Sequence, residues 1–151
     1  MILVFDTSTA SLSIGLGDDA GVLLASATAE ASETERGIHD ARLALETSRL
    51  LKETRTEPTA ITRIGLVIGP GSFTGLRIGL AFAKGLAFAT GAEILPVTQH
   101  ELLAEAALPN EAHLVTPGYQ PSTLYHAKRQ EPRDIRLISE TELDRLTQET
   151  G

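Results

Sequence analysis

Two short loops in this sequence carry residue types that could hold a phosphate. The first is Asp6-Thr7-Ser8-Thr9, directly after the apolar run Ile2 to Phe5. The second is Gly69-Pro70-Gly71-Ser72, directly after the apolar run Ile64 to Ile68. A strand, a glycine turn and a helix N-terminus aim unpaired N–H groups and a helix dipole at one spot, which suits an anion. The second loop lacks the Lys-Ser/Thr ending of a P-loop and the spacing of a dinucleotide fingerprint. A tight turn that packs a helix close to a sheet accounts for it better. Asp6 and Ser8 can likewise bond their own backbone in a polar hairpin that needs no ligand. Asp6, Thr7, Ser8, Gly69, Gly71 and Ser72 are thus the candidates for phosphate or nucleotide contact, with the ligand-free readings preferred and no cofactor expected. Other chemistries find less. The chain has no cysteine, its four histidines are scattered without ligand spacing, and neither HExxH nor a Ser-His-Asp arrangement is readable. His100 stands alone at a helix start and reads as a surface residue, so no metal site is expected.

Both loops depend on the elements around them. Ile64 to Ile68 has the length and β-branched content of a buried strand. Ser72 and Thr74 are good N-caps, so a helix should begin within a residue or two of Phe73. From Leu76 to Ala89 every residue is apolar or small except Arg77 and Lys84, which are seven apart and share one side. Gly75, Gly79 and Ala83 recur every four residues, a spacing that admits a close backbone. That approach must offset a glycine penalty of about 1 kcal/mol each against alanine. Upstream, Ile2 to Phe5, Ser11 to Leu16 and Val22 to Thr28 read as strands, the second with Leu12, Ile14 and Leu16 on one face. In the helix His39 to Thr54, Leu43, Ala44, Thr47, Leu50 and Leu51 share one face, expected to pack on the protein's own sheet. Ile38, Ala41 and Leu45 lie opposite, a surplus apolar face that predicts a partner.

Downstream, Glu93 to Val97 reads as a strand and Pro96 to Leu108 as its end followed by a helix with Glu101 and Glu105 outward. Pro109 to Glu111 is the expected junction between a first domain, 1–108, and a partial second domain, 109–151. Strands are expected at Ala112 to Thr116, Leu124 to Lys128 and Ile135 to Ile138. Ser139 with Glu142 has the form of a capping box for a last helix, Glu140 to Gln148.

GPGSFTGLRIG, with its Ala/Gly-rich helix and the N-terminal MILVFDTST, resembles the TsaB (YeaZ) family, strongly from Met1 to about Leu108. The resemblance implies an α/β fold of the actin-like ATPase (ribonuclease H-like) type with a mixed sheet, plus an abbreviated second half-domain. It implies a role in making threonylcarbamoyladenosine beside the tRNA anticodon, as a non-catalytic partner of a TsaD-type subunit. An ATPase subunit is a further implied partner. The interface expected on this basis comprises Ile38, Ala41, Leu45, Gly75, Gly79, Phe82 and Ala83, and a homodimer could use the same helices. Catalytic relatives place a metal-binding histidine pair where this chain has Gln99 and Leu103, and neither can replace imidazole. In actin-like enzymes a glycine follows the first-loop acid closely, where this chain has Ser8. The family's Asp-Ala-Arg turn reads Gly118, Tyr119 and Gln120 here. An ATP-binding enzyme and a glycoprotease-like peptidase are the rival readings.

The 151 residues are 42% apolar, with four Phe, two Tyr and no Trp, so the core must be mostly aliphatic. A formal charge of −7 argues against autonomous binding to RNA phosphates, so tRNA is expected only within a complex. No basic flank precedes the first apolar run, and no apolar stretch suits a bilayer. A cytoplasmic protein without membrane contact is expected.

Overall fold

The computed structural model of the chain describes residues 1–30, 39–107, 113–117 and 122–149. The elements run β1 (Ile2–Asp6), β2 (Ser11–Gly17), β3 (Leu23–Glu30), α1 (His39–Glu53), β4 (Arg63–Val67), α2 (Phe73–Thr90), β5 (Glu93–Val97) and α3 (Gln99–Ala106). Then follow β6 (His113–Pro117), β7 (Thr123–Lys128), β8 (Glu131–Ser139) and α4 (Glu140–Glu149). They form two compact units, Met1–Ile68 with Ser72–Pro96, and Gly69–Gly71 with Val97–Gly151.

In the first unit a five-stranded sheet has the order β3-β2-β1-β4-β5. β1 pairs antiparallel with β2 and parallel with β4, with Leu3 opposite Ile64, so the sheet is mixed as expected. Alternation sorts the strands: Leu3, Phe5, Leu12, Ile14, Leu16, Ile64 and Leu66 are buried in one aliphatic core. α1 lies against β2 and β3 and α2 against β4, while the two helices also touch each other. From α1, Leu43, Leu50 and Leu51 enter the core, and buried Thr47 returns its hydroxyl to the Leu43 carbonyl at 2.7 Å. Ala44, expected on that face, is exposed at its margin. α2 begins at an N-cap Ser72 whose side chain accepts from Gly75 N–H, and it ends at Gly91, where φ is 76°. Only glycine holds that left-handed C-terminal position without strain.

The second unit is a three-stranded antiparallel sheet, β6-β7-β8, flanked by α3 and α4. α3 belongs here and not with the first sheet, because it packs on β6 and β8. This compact unit thus includes the chain from Val97 on. Arg129 Nε–H donates to the Ala104 carbonyl at 3.2 Å, and Arg133 pairs with Glu101. A capping box fixes the start of α3: Glu101 N–H donates to Thr98 Oγ1, and the Glu101 carboxylate accepts from Thr98 N–H. Thr98 N–H and then Arg133 hold that carboxyl below its ordinary pKa. β8 is longer than the expected Ile135 to Ile138, extending back through Pro132 to Glu131. Proline is tolerated there because β8 is an edge strand. Among the described residues no helix is long and apolar enough to cross a membrane.

Candidate functional site

The Asp6 loop closes on itself and on α2. Ser8 N–H and the Ser8 hydroxyl both donate to Asp6 Oδ1, the first at 2.7 Å. Thr7 is fully buried, and its hydroxyl donates to the Gly75 carbonyl at 2.8 Å. Ser72 N–H donates to the Ser8 carbonyl at 2.6 Å. These contacts are those of the polar hairpin. Thr7, Ser8 and Ser72 spend these donors inside the protein. In the other unit, Gly69, with φ of 114°, accepts Gln99 N–H at 2.8 Å, while Gly71 is exposed. Thr7→Val should lower the stability of the first unit by about 1 kcal/mol, the net worth of one buried hydrogen bond, as read by urea unfolding.

Gly75 and Gly79 are where the latch becomes tight. A Cβ on Gly75 would lie 1.9 Å from the Thr7 carbonyl oxygen, and one on Gly79 would lie 2.5 Å from Thr7 Oγ1. Gly75, Gly79 and Ala83 are all buried by this chain's own residues. The small-residue stripe does admit a close backbone, but that backbone is the protein's own β1–β2 connection. All three belong to the expected partner surface and are buried in the isolated chain. Phe82 is half-buried between surface and core and meets Phe5 edge-on at 5.6 Å.

The outward face of α2 is a different stripe. Phe73, Arg77, Leu80, Lys84 and Phe88 lie within a narrow arc at 100° per residue, and all are exposed. Phe73 is 70% exposed, Leu80 41% and Phe88 95%. The Arg77 guanidinium sits over the Phe73 ring, 5.5 Å from its centroid. On α1, Leu45 is 64% exposed, as expected for the face opposite Leu43 and Leu50. Ile38 and the side chain of Ala41 lie outside the described residues. An open groove of about 500 Å³ bordered by Leu43, Ile78, Ala81 and Phe82 lies beside these helices, with Arg77 at its edge. The surface is apolar with two cations, the opposite sign to the chain's net charge. Sequence reading missed Phe73, Leu80 and Phe88, although Arg77 and Lys84 already marked the water side.

Among the described residues no group of three or more His, Cys, Asp or Glu side chains could hold a metal. Gln99 and Leu103 stand on α3, and Leu103 is exposed. His100, expected at the surface, is instead fully buried, with Nε2 3.2 Å from the Tyr125 carbonyl. The Gly118, Tyr119 and Gln120 turn lies outside the described residues.

Comparison with known proteins agrees with this architecture. A family model described as TsaD, tRNA N6-adenosine threonylcarbamoyltransferase, matches residues 31–130. The chain is 28% identical over 106 residues to the tRNA threonylcarbamoyladenosine biosynthesis protein TsaB of Haemophilus influenzae, covering 70% of this chain and 42% of that protein. It thus spans less than half the length of that curated relative. The solved structure of YeaZ from Pseudomonas aeruginosa superposes with a TM-score of 0.69 at 28% identity, covering 92% of this chain and 64% of that one. A putative N-acetylmannosamine kinase from Listeria monocytogenes, at 20% identity and a TM-score of 0.51, covers 84% of this chain and 46% of that one and shares the fold alone. The expected actin-like α/β fold with a mixed sheet is the observed one. The chain belongs to the family that the TsaD model describes and, within it, to the TsaB/YeaZ proteins.

Proposed function

We propose that this chain is a non-catalytic subunit in tRNA threonylcarbamoyladenosine biosynthesis and docks a TsaD-type catalytic subunit through the outward faces of α1 and α2. The observation that carries this reading is the exposed set Phe73, Leu80, Phe88 and Leu45 on two touching helices. Single exposed leucines are ordinary, but large apolar side chains grouped on adjacent helices mark a contact surface. The relatives' names and the matching family model support a place in this pathway. An ATPase subunit completes the complex, tRNA is held only within it, and its place is the cytoplasm. A homodimer through the same face forms when the catalytic partner is absent.

The hydrogen bonds that close the Asp6 loop favour this reading over an ATP-binding enzyme. The purified chain is expected neither to hydrolyse ATP nor to cleave peptides, and to elute with an added TsaD-type protein on size exclusion. ATP turnover that disappears in Asp6→Ala would replace the scaffold with an enzyme. Separate elution at micromolar concentrations of both proteins would remove the partner.

A further inference from the structure

Three histidines that are far apart in sequence meet in the second unit: His100 on α3, His113 on β6 and His126 on β7. His113 Nδ1 and His126 Nε2 are 2.8 Å apart, with ring centroids 5.1 Å apart and planes inclined by 32°. Such a contact needs one nitrogen to donate and the other to accept. It survives one added proton on the pair and is lost with two, when N–H faces N–H.

His100 has a stricter limit. Its side chain has no exposure, and the Tyr125 carbonyl can only accept, so Nε2 carries the proton. Nδ1 is then a bare lone pair, buried without a hydrogen-bond partner among the described residues. A proton added there would create a buried cation whose new N–H has no acceptor, a heavy penalty.

We propose that this histidine cluster makes the second unit a proton-sensitive module, closed at neutral pH and opening in mild acid while the first unit stays folded. The charged groups around His126 do little to resist this. His113 on β6, His100 on α3 and Arg136 on β8 all disfavour a cation there, and Glu142 on α4 alone favours it. Burial, and then those charges, hold His126 below the ordinary imidazole pKa. Burial likewise lowers His100, against the pull of the Tyr125 carbonyl. An opened unit takes up these protons near the ordinary imidazole value of about 6.5, and the closed unit only below it. The open state therefore binds more protons, and closure is strongest above that value and weakens as pH falls through it. Each histidine contributes up to about tenfold in the opening constant per pH unit, so the two together give up to about a hundredfold. The first unit contains one histidine, His39, and no such cluster. The tie from Arg133 to Glu101 keeps its carboxylate in this window, because Glu101 is held ionised further into acid.

The test follows ring signals and backbone amide exchange of the full chain by NMR from pH 7.5 to 5.5, with exchange corrected for intrinsic rate. Opening of the α3, β6 and β7 amides should rise by about thirtyfold from pH 6.5 to 5.5, about fivefold for each of the two histidines. Amides of β1, β2 and β4 should stay within about threefold. His126→Gln should cut the rise to about fivefold. Rings of His100 and His126 that titrate near 6.5 with unchanged second-unit amides would overturn the proposal, as would an equal rise in both units. Because the ring titration is read on the unaltered chain, the test stands even if the variant does not fold.

Discussion

Gly75→Ala should destabilise the first unit by roughly 3 kcal/mol or more, although alanine is the better helix former. In open helix the exchange would stabilise by up to about 1 kcal/mol. Here the new methyl would lie 1.9 Å from the Thr7 carbonyl oxygen, and Ser72 N–H pins the next residue through the Ser8 carbonyl. Neither atom is the free end of a side chain, so relief requires α2 to move away from the β1–β2 connection. That breaks the Thr7 bond to the Gly75 carbonyl and opens the packing over Phe5 and Leu66. Overpacking a core typically costs about 1–3 kcal/mol, and more when only backbone can yield. Gly85 is the internal control, since a Cβ there meets nothing within 4 Å. Gly85→Ala should stabilise by several tenths to about 1 kcal/mol. Urea unfolding followed by circular dichroism separates the two. Equal effects would mean that α2 does not sit against Thr7.

The second large effect is on association. Leu50 is fully buried under α1, so Leu50→Ala should reduce folding stability by roughly 2–5 kcal/mol. Leu45→Asp and Phe88→Asp place a carboxylate where the isolated chain already meets water, and each should leave the fold intact. Pressed against an apolar partner, the same carboxylate would be desolvated at a penalty of several kcal/mol. Each 1.4 kcal/mol is about tenfold, so affinity for the proposed TsaD-type partner should fall by about a hundredfold or more. Arg77 and Lys84, on the same stripe as Phe88, could accept part of that charge and soften the loss for Phe88→Asp. The measurement is thermal unfolding of each variant beside titration calorimetry with the partner. Both carboxylate variants folding and still binding at full affinity would move the interface off these helices.

What could be read in the sequence follows from periodicity. Strand alternation exposed the core residues of β2, apolar runs marked β1 and β4 as buried, and the 100° rule sorted Leu43 and Leu50 from Leu45. Ser72 and Thr74 placed the start of α2 within a residue or two of Phe73, where it begins. The orientation of α2 was harder, because a helix apolar nearly all round has little contrast between its faces. Its small residues suggested an intermolecular seam, whereas the nearest backbone to fill it was a loop of the same domain. The histidine cluster was invisible for another reason. It arises from strand register, which sets Val115 opposite His126 and His113 opposite Lys128, and from α3 packing on the same sheet. No local spacing encodes that. β8 was underestimated because Pro132 and the charges of Arg133 and Asp134 look like a loop, yet they suit an edge strand.

The order of the five-stranded sheet also sets a timetable. The β1–β2–β3 meander is made from near neighbours and can form as soon as it is synthesised. Its first strand, however, lies in the middle of the finished sheet and must wait for Ile64 to pair with Leu3. Parallel pairing across that span closes a long loop before it gains any contact. Until α1 and α2 arrive, Leu3, Phe5, Leu12, Ile14 and Leu16 present one unshielded apolar wall on the nascent chain. The vulnerable interval of this protein is therefore its own synthesis, and slower translation through residues 31–90 would lengthen exposure to aggregation and increase its dependence on chaperones.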